Sequence, residues 1–436
     1  MTTTLERYAT PEEMMQLQQA PERAAQINTC ADKKPFVFFA AFDGTNNDKG
    51  NLPLSGSPYQ TNIANLYDMG KAKEGPNFQA RYYPGVGTGG EHGSFLNAGP
   101  APTEPLEAIA RKALNNFAYE ADKYLQSTPG ATPADLSAVT AGFSRGNAAQ
   151  VMFAQMLDQE GLKLRDGTVV APPHSVPITG MVMIDPVHTA VKGDLSLPGN
   201  VRGEVLALGA LDETRYQFRR ADYSLDPRVK LLELPGNHVG LGGGYDQHGS
   251  SAAALQASVS YLRNSGADLG QAPPQLQFDP NRPAPVYSEV YADGSFQIAH
   301  NGDRVYRTDS HGQRPLAWET AGLPGHRATA PVPAPAGVDE RHAQGCAPPP
   351  QQQQPYGPDA ITSGSSTKEM FHALLDAAGR GDIQGMDKVT QAYTDSPQGQ
   401  AWLELGRQAL QQEEQGQIRQ QEEAQRQSGP VMRMGF

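Results

Sequence analysis

Apolar residues gather along this chain in short unbroken runs, with amphipathic stretches between them. Phe36-Val37-Phe38-Phe39-Ala40-Ala41-Phe42, Leu136-Ser137-Ala138-Val139-Thr140-Ala141, Ile178-Thr179-Gly180-Met181-Val182-Met183-Ile184 and Val229-Lys230-Leu231-Leu232-Glu233-Leu234 are each of strand length. Runs with so little polar alternation fit strands covered on both faces, as in a parallel sheet. Helical periodicity lies between and after them: from Thr61, over 104–126, from Asn147 onward, and in an alanine-rich stretch over 250–263. Strands alternating with helices predict an α/β fold with a mostly parallel sheet and helices on both faces.

The pattern weakens at both ends. Residues 1–33 read as a polar N-terminal tail, and 34–270 as the catalytic-domain candidate. Residues 271–358 read as a Pro-rich linker, in which 286–308 alternate like a small β-hairpin. Over 359–436 the pattern is a helical, Gln-rich C-terminal module with apolar positions at Phe371, Leu374, Leu375 and Ala378, then Trp402, Leu405 and Leu410. The overall hydrophobic content of 38% and the 36 prolines among 436 residues agree with one packed domain diluted by loosely patterned segments.

Charge and cysteine content remove several function classes. A formal charge of −12 argues against nucleic acid as the main partner and against electrostatic adsorption to anionic lipid. With Cys30 and Cys346 as the only cysteines, a disulfide framework is excluded and a thiolate metal site disfavoured. The amino terminus carries no charged-then-apolar leader, and no run reaches bilayer-spanning length, so the expectation is a chain made in the cytoplasm and, if secreted, exported without a signal peptide.

The candidate chemistry centres on Gly142-Phe143-Ser144-Arg145-Gly146, placed between a strand-like run and a helix-like one. Glycines two residues either side of a serine allow a sharp strand-to-helix turn that exposes the hydroxyl, and the turn resembles the nucleophile elbow of α/β-hydrolases. A serine hydroxyl needs a base, and the base needs an orienting carboxylate. Asp185 ends the run Met181–Ile184, and His238 follows the run Val229–Leu234 within Pro235-Gly236-Asn237-His238-Val239-Gly240-Leu241-Gly242-Gly243-Gly244-Tyr245. Both fall at strand carboxyl ends, where sites on parallel sheets form. An oxyanion hole would draw on the N–H of Arg145 and on the loop at Gly44 and Thr45, braced by Asp43. Such chemistry requires neither metal nor organic cofactor. His188 and His248 compete with His238 for the base; Asp212, read as part of a helix, and Asp246 compete with Asp185 for the acid. Asp43 and Asp48 share one turn, a pairing that ordinarily marks a solvated loop rather than a metal site.

Phe42-Asp43-Gly44-Thr45, Thr61-Asn62, Tyr83-Pro84-Gly85-Val86-Gly87-Thr88, the elbow, Ile184-Asp185-Pro186-Val187, Ala210-Leu211-Asp212-Glu213 and His238-x-x-x-Gly242-Gly243-Gly244-Tyr245 occur in that order. Over roughly 35–265 this series resembles the α/β-hydrolase domain of bacterial type VI secretion lipase effectors of the first family. The resemblance implies a triad of Ser144, Asp185 and His238, phospholipase action on membrane phospholipid, an immunity protein in the producing cell, and a secretion-machine component or adaptor as partner. It also implies action in a target bacterium, in its periplasm. Pro186, Asn237 and Val239-Gly240-Leu241 depart from the family pattern. The Gln-rich end is loosely similar to tails of type IV-secreted effectors of xanthomonad-type bacteria. Phe95 and Leu96 are candidate membrane contacts. Two other functions fit the same motifs: an esterase or thioesterase acting on soluble molecules, and a non-catalytic binding domain with a vestigial elbow.

Overall fold

The computed structural model describes residues 2–29, 33–93, 102–213, most of 215–291, two short strands within 299–304 and parts of 361–400. Cys30, Cys346, Phe95, Leu96, the linker from 305 to 360 and the Gln-rich end from 401 onward lie outside the described residues.

Six parallel strands carry the fold. They are β2 (Phe36–Phe42), β3 (Phe78–Tyr83), β4 (Leu136–Phe143), β7 (Ile178–Ile184), β8 (Val205–Ala210) and β9 (Val229–Leu234), in the spatial order β3-β2-β4-β7-β8-β9. Every residue of β2, β4, β7 and β8 is buried, as their apolar runs require. A small antiparallel pair, β5 (Leu162–Lys163) with β6 (Val169–Ala171), lies between β4 and β7 in sequence.

Helices cover both faces. On one face α3 (Thr103–Ser127) and α4 (Gly146–Glu160) close over Phe36, Phe38 and Phe42, with Phe38 stacked on Phe117 at 4.7 Å between ring centroids. On the other, α1 (Pro11–Ala25), α2 (Asn62–Lys71) and α6 (Gly249–Asn264) enclose Val37, Phe39, Ala41, Val139 and Val182. Alternate residues of β2 thus enter opposite cores, the behaviour of a strand buried on both sides.

The chain leaves β2 for β3 on one flank and returns to β4 on the other. The carboxyl ends of β2 and β4, paired at Phe42 and Gly142, therefore flank a topological switch point, where crevices open in such sheets.

Residues 1–33 depart from the expected polar tail. Thr2–Tyr8 forms β1, and α1 has a capping box in which Thr10 accepts from the Glu13 N–H and Glu13 accepts from the Thr10 N–H. Leu17, Ala20 and Ala24, spaced along one helix face, are wholly buried against the core that includes α6. Three apolar positions suffice because the remaining face is solvated. Of the expected hairpin over 286–308, the described first segment pairs with the amino terminus: β10 (Pro285–Tyr291) lies antiparallel to β1, through Thr2 opposite Tyr291 and Tyr8 opposite Pro285. Among the described residues, the brief β11 (Ala299–His300) and β12 (Asp303–Arg304) pair locally; 296–298 and 305–306 lie outside the described residues.

The chain divides into two compact units, Met1–Pro348 and Pro349–Phe436. In the second, α7 (Ile383–Thr394) is capped by Asp382 and contributes Val389 to a small cluster with Ile361, Met370 and Ala373.

Candidate active site

The site grows from the end of β4. Ser144 turns the chain with φ of +55°, a conformation that costs a non-glycine residue energy and persists where its surroundings hold it. Here the Ser144 N–H donates to the Ile184 carbonyl at 3.1 Å, while the Ser144 carbonyl accepts from the Asn147 and Val187 N–H groups, each at 3.2 Å, and from Asn147 Nδ2 at 3.0 Å. The flanking glycines are steric requirements. A Cβ on Gly146 would lie 2.4 Å from the carbonyl oxygens of both Phe42 and Asp43, and one on Gly142 would lie 2.8 Å from Asn147 Oδ1. Ser144 is buried in the fold, and Arg145 forms the cap of α4, whose N-terminus lies behind the hydroxyl.

Asp185 follows β7 and also has positive φ, +37°. It is clamped between strands: its N–H donates to the Leu208 carbonyl at 2.8 Å, and Oδ1 accepts from the Ala210 N–H at 3.0 Å. Its Oδ2 lies 2.6 Å from Nδ1 of His238, with both side chains fully enclosed. His238 opens the short helix α5 (His238–Gly242), capped by Asn237, whose Oδ1 accepts from the Gly240 N–H at 2.8 Å. Its ring is stacked on Phe143 at 4.6 Å, next to the serine, and is tilted against Phe218 at 4.9 Å. Burial pushes the imidazole below its usual proton affinity, while Asp185 and Glu213 push it up and Arg215 pulls it down. With Nδ1–H directed at the carboxylate, Nε2 is the basic nitrogen. The hydrogen bonds among the described residues do not include one between Nε2 and Ser144 Oγ, a contact that commonly tightens only when substrate binds.

The loop after β2 reaches the same place. Gly44 is so near the nucleophile that a Cβ on it would lie 3.0 Å from Ser144 Cβ. Its N–H donates to Asp43 Oδ1 at 2.7 Å, which braces the loop. Asp43 Oδ2 accepts from Thr61 Oγ1 at 2.7 Å and from the Tyr82 hydroxyl at 2.6 Å. Burial raises this carboxyl to about 6, against the pull of those three donors. Thr45 follows in the loop, and its Oγ1 is enclosed with no hydrogen-bond partner among the described residues.

The competing residues have other partners. His188 meets Tyr223 edge-on at 5.8 Å. His248 stacks on Phe278 and faces the Arg282 carbonyl at 3.3 Å. Asp212 lies in a bend after β8, not in the expected helix; it exchanges hydrogen bonds with Gly236, and an ion pair with Arg7, steadying the turn before His238. Asp246 accepts from the His248 N–H, and Asp48 from the Gly50 N–H, both within local turns. Among the described residues no group of three or more His, Cys, Asp or Glu side chains could hold a metal.

Asn147, Phe218, Glu213 and Arg215 act around this site without having been singled out for it in the sequence. Asn147 could have been noticed as a polar residue one position beyond the elbow glycine. The others meet His238 only through the folded sheet.

No protein-family model matches the chain, and no curated protein does. Among solved structures, an uncharacterized protein from Pseudomonas aeruginosa is similar at 19% identity and TM-score 0.37, over 62% of this chain and 50% of that one. The Tle1 effector, solved bound to the VgrG spike of the type 6 secretion system, is similar at 19% identity and TM-score 0.34, over 50% and 52%. Esterase PE8 is similar at 13% identity and TM-score 0.29, over 54% and 95%. The chain spans about half the length of the first two. The fold's own features, a parallel sheet with helices on both faces and a strand–elbow–helix turn at its switch point, define its class as α/β-hydrolase-like.

Proposed function

We propose that this protein is a serine ester hydrolase of phospholipase A type, acting on the acyl esters of membrane phospholipids as a secreted antibacterial effector. The carrying observation is the 2.6 Å bond between Asp185 and His238, formed beside the turn that holds Ser144 at positive φ. His238 Nε2 takes the proton as Ser144 Oγ attacks the acyl carbonyl, and Asp185 holds the imidazolium. The Arg145 N–H and the N–H groups of the Gly44–Thr45 loop hold the developing oxyanion. Collapse of the tetrahedral species expels the lysophospholipid alkoxide, which takes the proton from His238, and leaves an acyl-serine. Water, deprotonated by His238, then releases the fatty acid and restores the serine.

The ordered motifs over roughly 35–265 support the lipid substrate, as they do an immunity protein, a secretion-machine partner and action in a rival's periplasm. The test is fatty-acid release from mixed phospholipid vesicles by the full chain beside Ser144→Ala. Release that disappears in the variant supports the reading. Release by both, or by neither, overturns it. Cleavage of soluble esters with vesicles untouched would keep the triad and discard the phospholipid.

A further inference from the structure

Behind His238 lies a buried set of charges for which the triad chemistry has no use. Arg215 reaches Glu213 through Nε at 2.9 Å and Nη2 at 2.6 Å, and pairs through Nη1 with Glu289 of β10. The Tyr245 hydroxyl donates to the other oxygen of Glu289. Glu213 is fully enclosed, and Arg215 and Glu289 are each 5% exposed. Enclosing three charges is costly, and apolar residues of equal volume commonly serve stability as well or better.

The set instead touches the imidazole in two ways. Glu213 Oε2 accepts the backbone N–H of His238 at 3.2 Å. The Arg215 guanidinium lies 3.7 Å over the ring of Phe218, and that ring is the one tilted against His238. The backbone and the ring of His238 are thus steadied from one ion pair, while Phe143 also stacks on the ring.

We propose that Glu213 and Arg215 are positioning residues for His238, and that Glu289 fastens them to the ribbon formed by β1 and β10. The inference rests on the triad reading above. Glu213 sets a negative charge beside an imidazole that becomes cationic as the serine attacks. Among the described residues, the charged groups acting on His238 are Asp185 from the end of β7 and Glu213 and Arg215 from the segment after β8. Removing the charge of Glu213 therefore disfavours the imidazolium as well as loosening its seat. The ribbon joins residues 2–8 to 285–291, so segments far apart in sequence from the sheet strands contribute to the alignment of the base.

The experiment compares the full chain with Glu213→Gln, Glu289→Gln and Ser144→Ala, using p-nitrophenyl butyrate across pH, with thermal melting alongside. Glu213→Gln keeps an acceptor for the His238 N–H but loses the charge. The expected result is a fall in kcat of about tenfold with KM little changed, as for a misaligned base. The acid limb of kcat/KM should move to lower pH. Glu289→Gln, farther from the imidazole, should move both quantities the same way by less, and it carries the test if Glu213→Gln does not fold. Lowered melting temperatures with kcat and the acid limb unmoved would overturn the proposal, because that is the outcome of a purely structural ion pair. Activity persisting in Ser144→Ala would overturn the triad reading and this inference with it.

Discussion

Gly85 lies so close against Gly44 that a Cβ on Gly85 would fall 1.7 Å from the Gly44 carbonyl oxygen. The Gly85 N–H donates to the Asn47 carbonyl at 2.9 Å in the same place, which locks the loop after β3 onto the loop after β2. Gly85→Ala must displace backbone rather than a yielding side chain. We expect it to destabilise the protein by more than about 3 kcal/mol and to abolish activity in whatever fraction folds. Chemical denaturation beside ester hydrolysis measures both.

Replacing Ser144 by alanine removes the nucleophile while keeping the backbone turn. Hydrolysis should fall by at least about 10³-fold, with stability changed by no more than about 1 kcal/mol. The intact protein should be labelled by a fluorophosphonate probe and the variant should not. Labelling of the variant at the same rate would place the reactive group elsewhere.

Asp185→Asn keeps an oxygen for the Ala210 N–H but presents the imidazole with the wrong partner for its Nδ1–H tautomer. On that ground kcat should drop by about 10⁴-fold with KM nearly unchanged. A loss below about tenfold would remove Asp185 from the triad.

Two buried groups, His238 and Asp43, contribute to the pH dependence with opposite signs. His238 has its proton affinity lowered from the ordinary 6.5 by burial, so its basic form persists below that pH. The acid limb of the kcat/KM profile should have its midpoint below pH 6.5. The unfolded chain binds that proton more readily, so this group makes stability fall as pH drops beneath about 6.5. Asp43 acts oppositely: held at about 6 against an ordinary 3.8, it favours the fold fully below pH 3.8, and that contribution is lost as pH rises through 6. Melting curves from pH 4 to 8 for the wild type and Asp43→Asn should separate the two, the variant losing the component that declines between pH 4 and 6.

Leu17 tests whether the amino-terminal helix belongs to the domain. It is fully buried on α1, and Leu17→Ala should cost about 2–5 kcal/mol in denaturant unfolding. A solvated tail would show almost no change.

Four of the six sheet strands, β2, β4, β7 and β9, were legible as largely apolar runs within single stretches of chain, whereas β8 (Val205–Ala210) and β3 (Phe78–Tyr83), interrupted by Gln79 and Arg81, were not read from the sequence. The elbow was legible for a similar reason, since the steric needs of Gly142 and Gly146 are written into five consecutive residues. Asp185 and His238 could be placed at strand ends by chain order alone, but their 2.6 Å contact joins residues 53 positions apart and exists only once β7, β8 and β9 lie side by side. The same holds for β1, whose Thr-rich sequence has no apolar periodicity and becomes a strand by pairing with β10 nearly three hundred residues later. Gly44 shows the difference most sharply. Its position beside the nucleophile was foreseeable from the sequence, yet only the fold decided that its N–H would be taken by Asp43. Local sequence determines which conformations a segment can adopt without strain; which polar groups then find one another depends on long-range packing, and that packing decided how the site is wired.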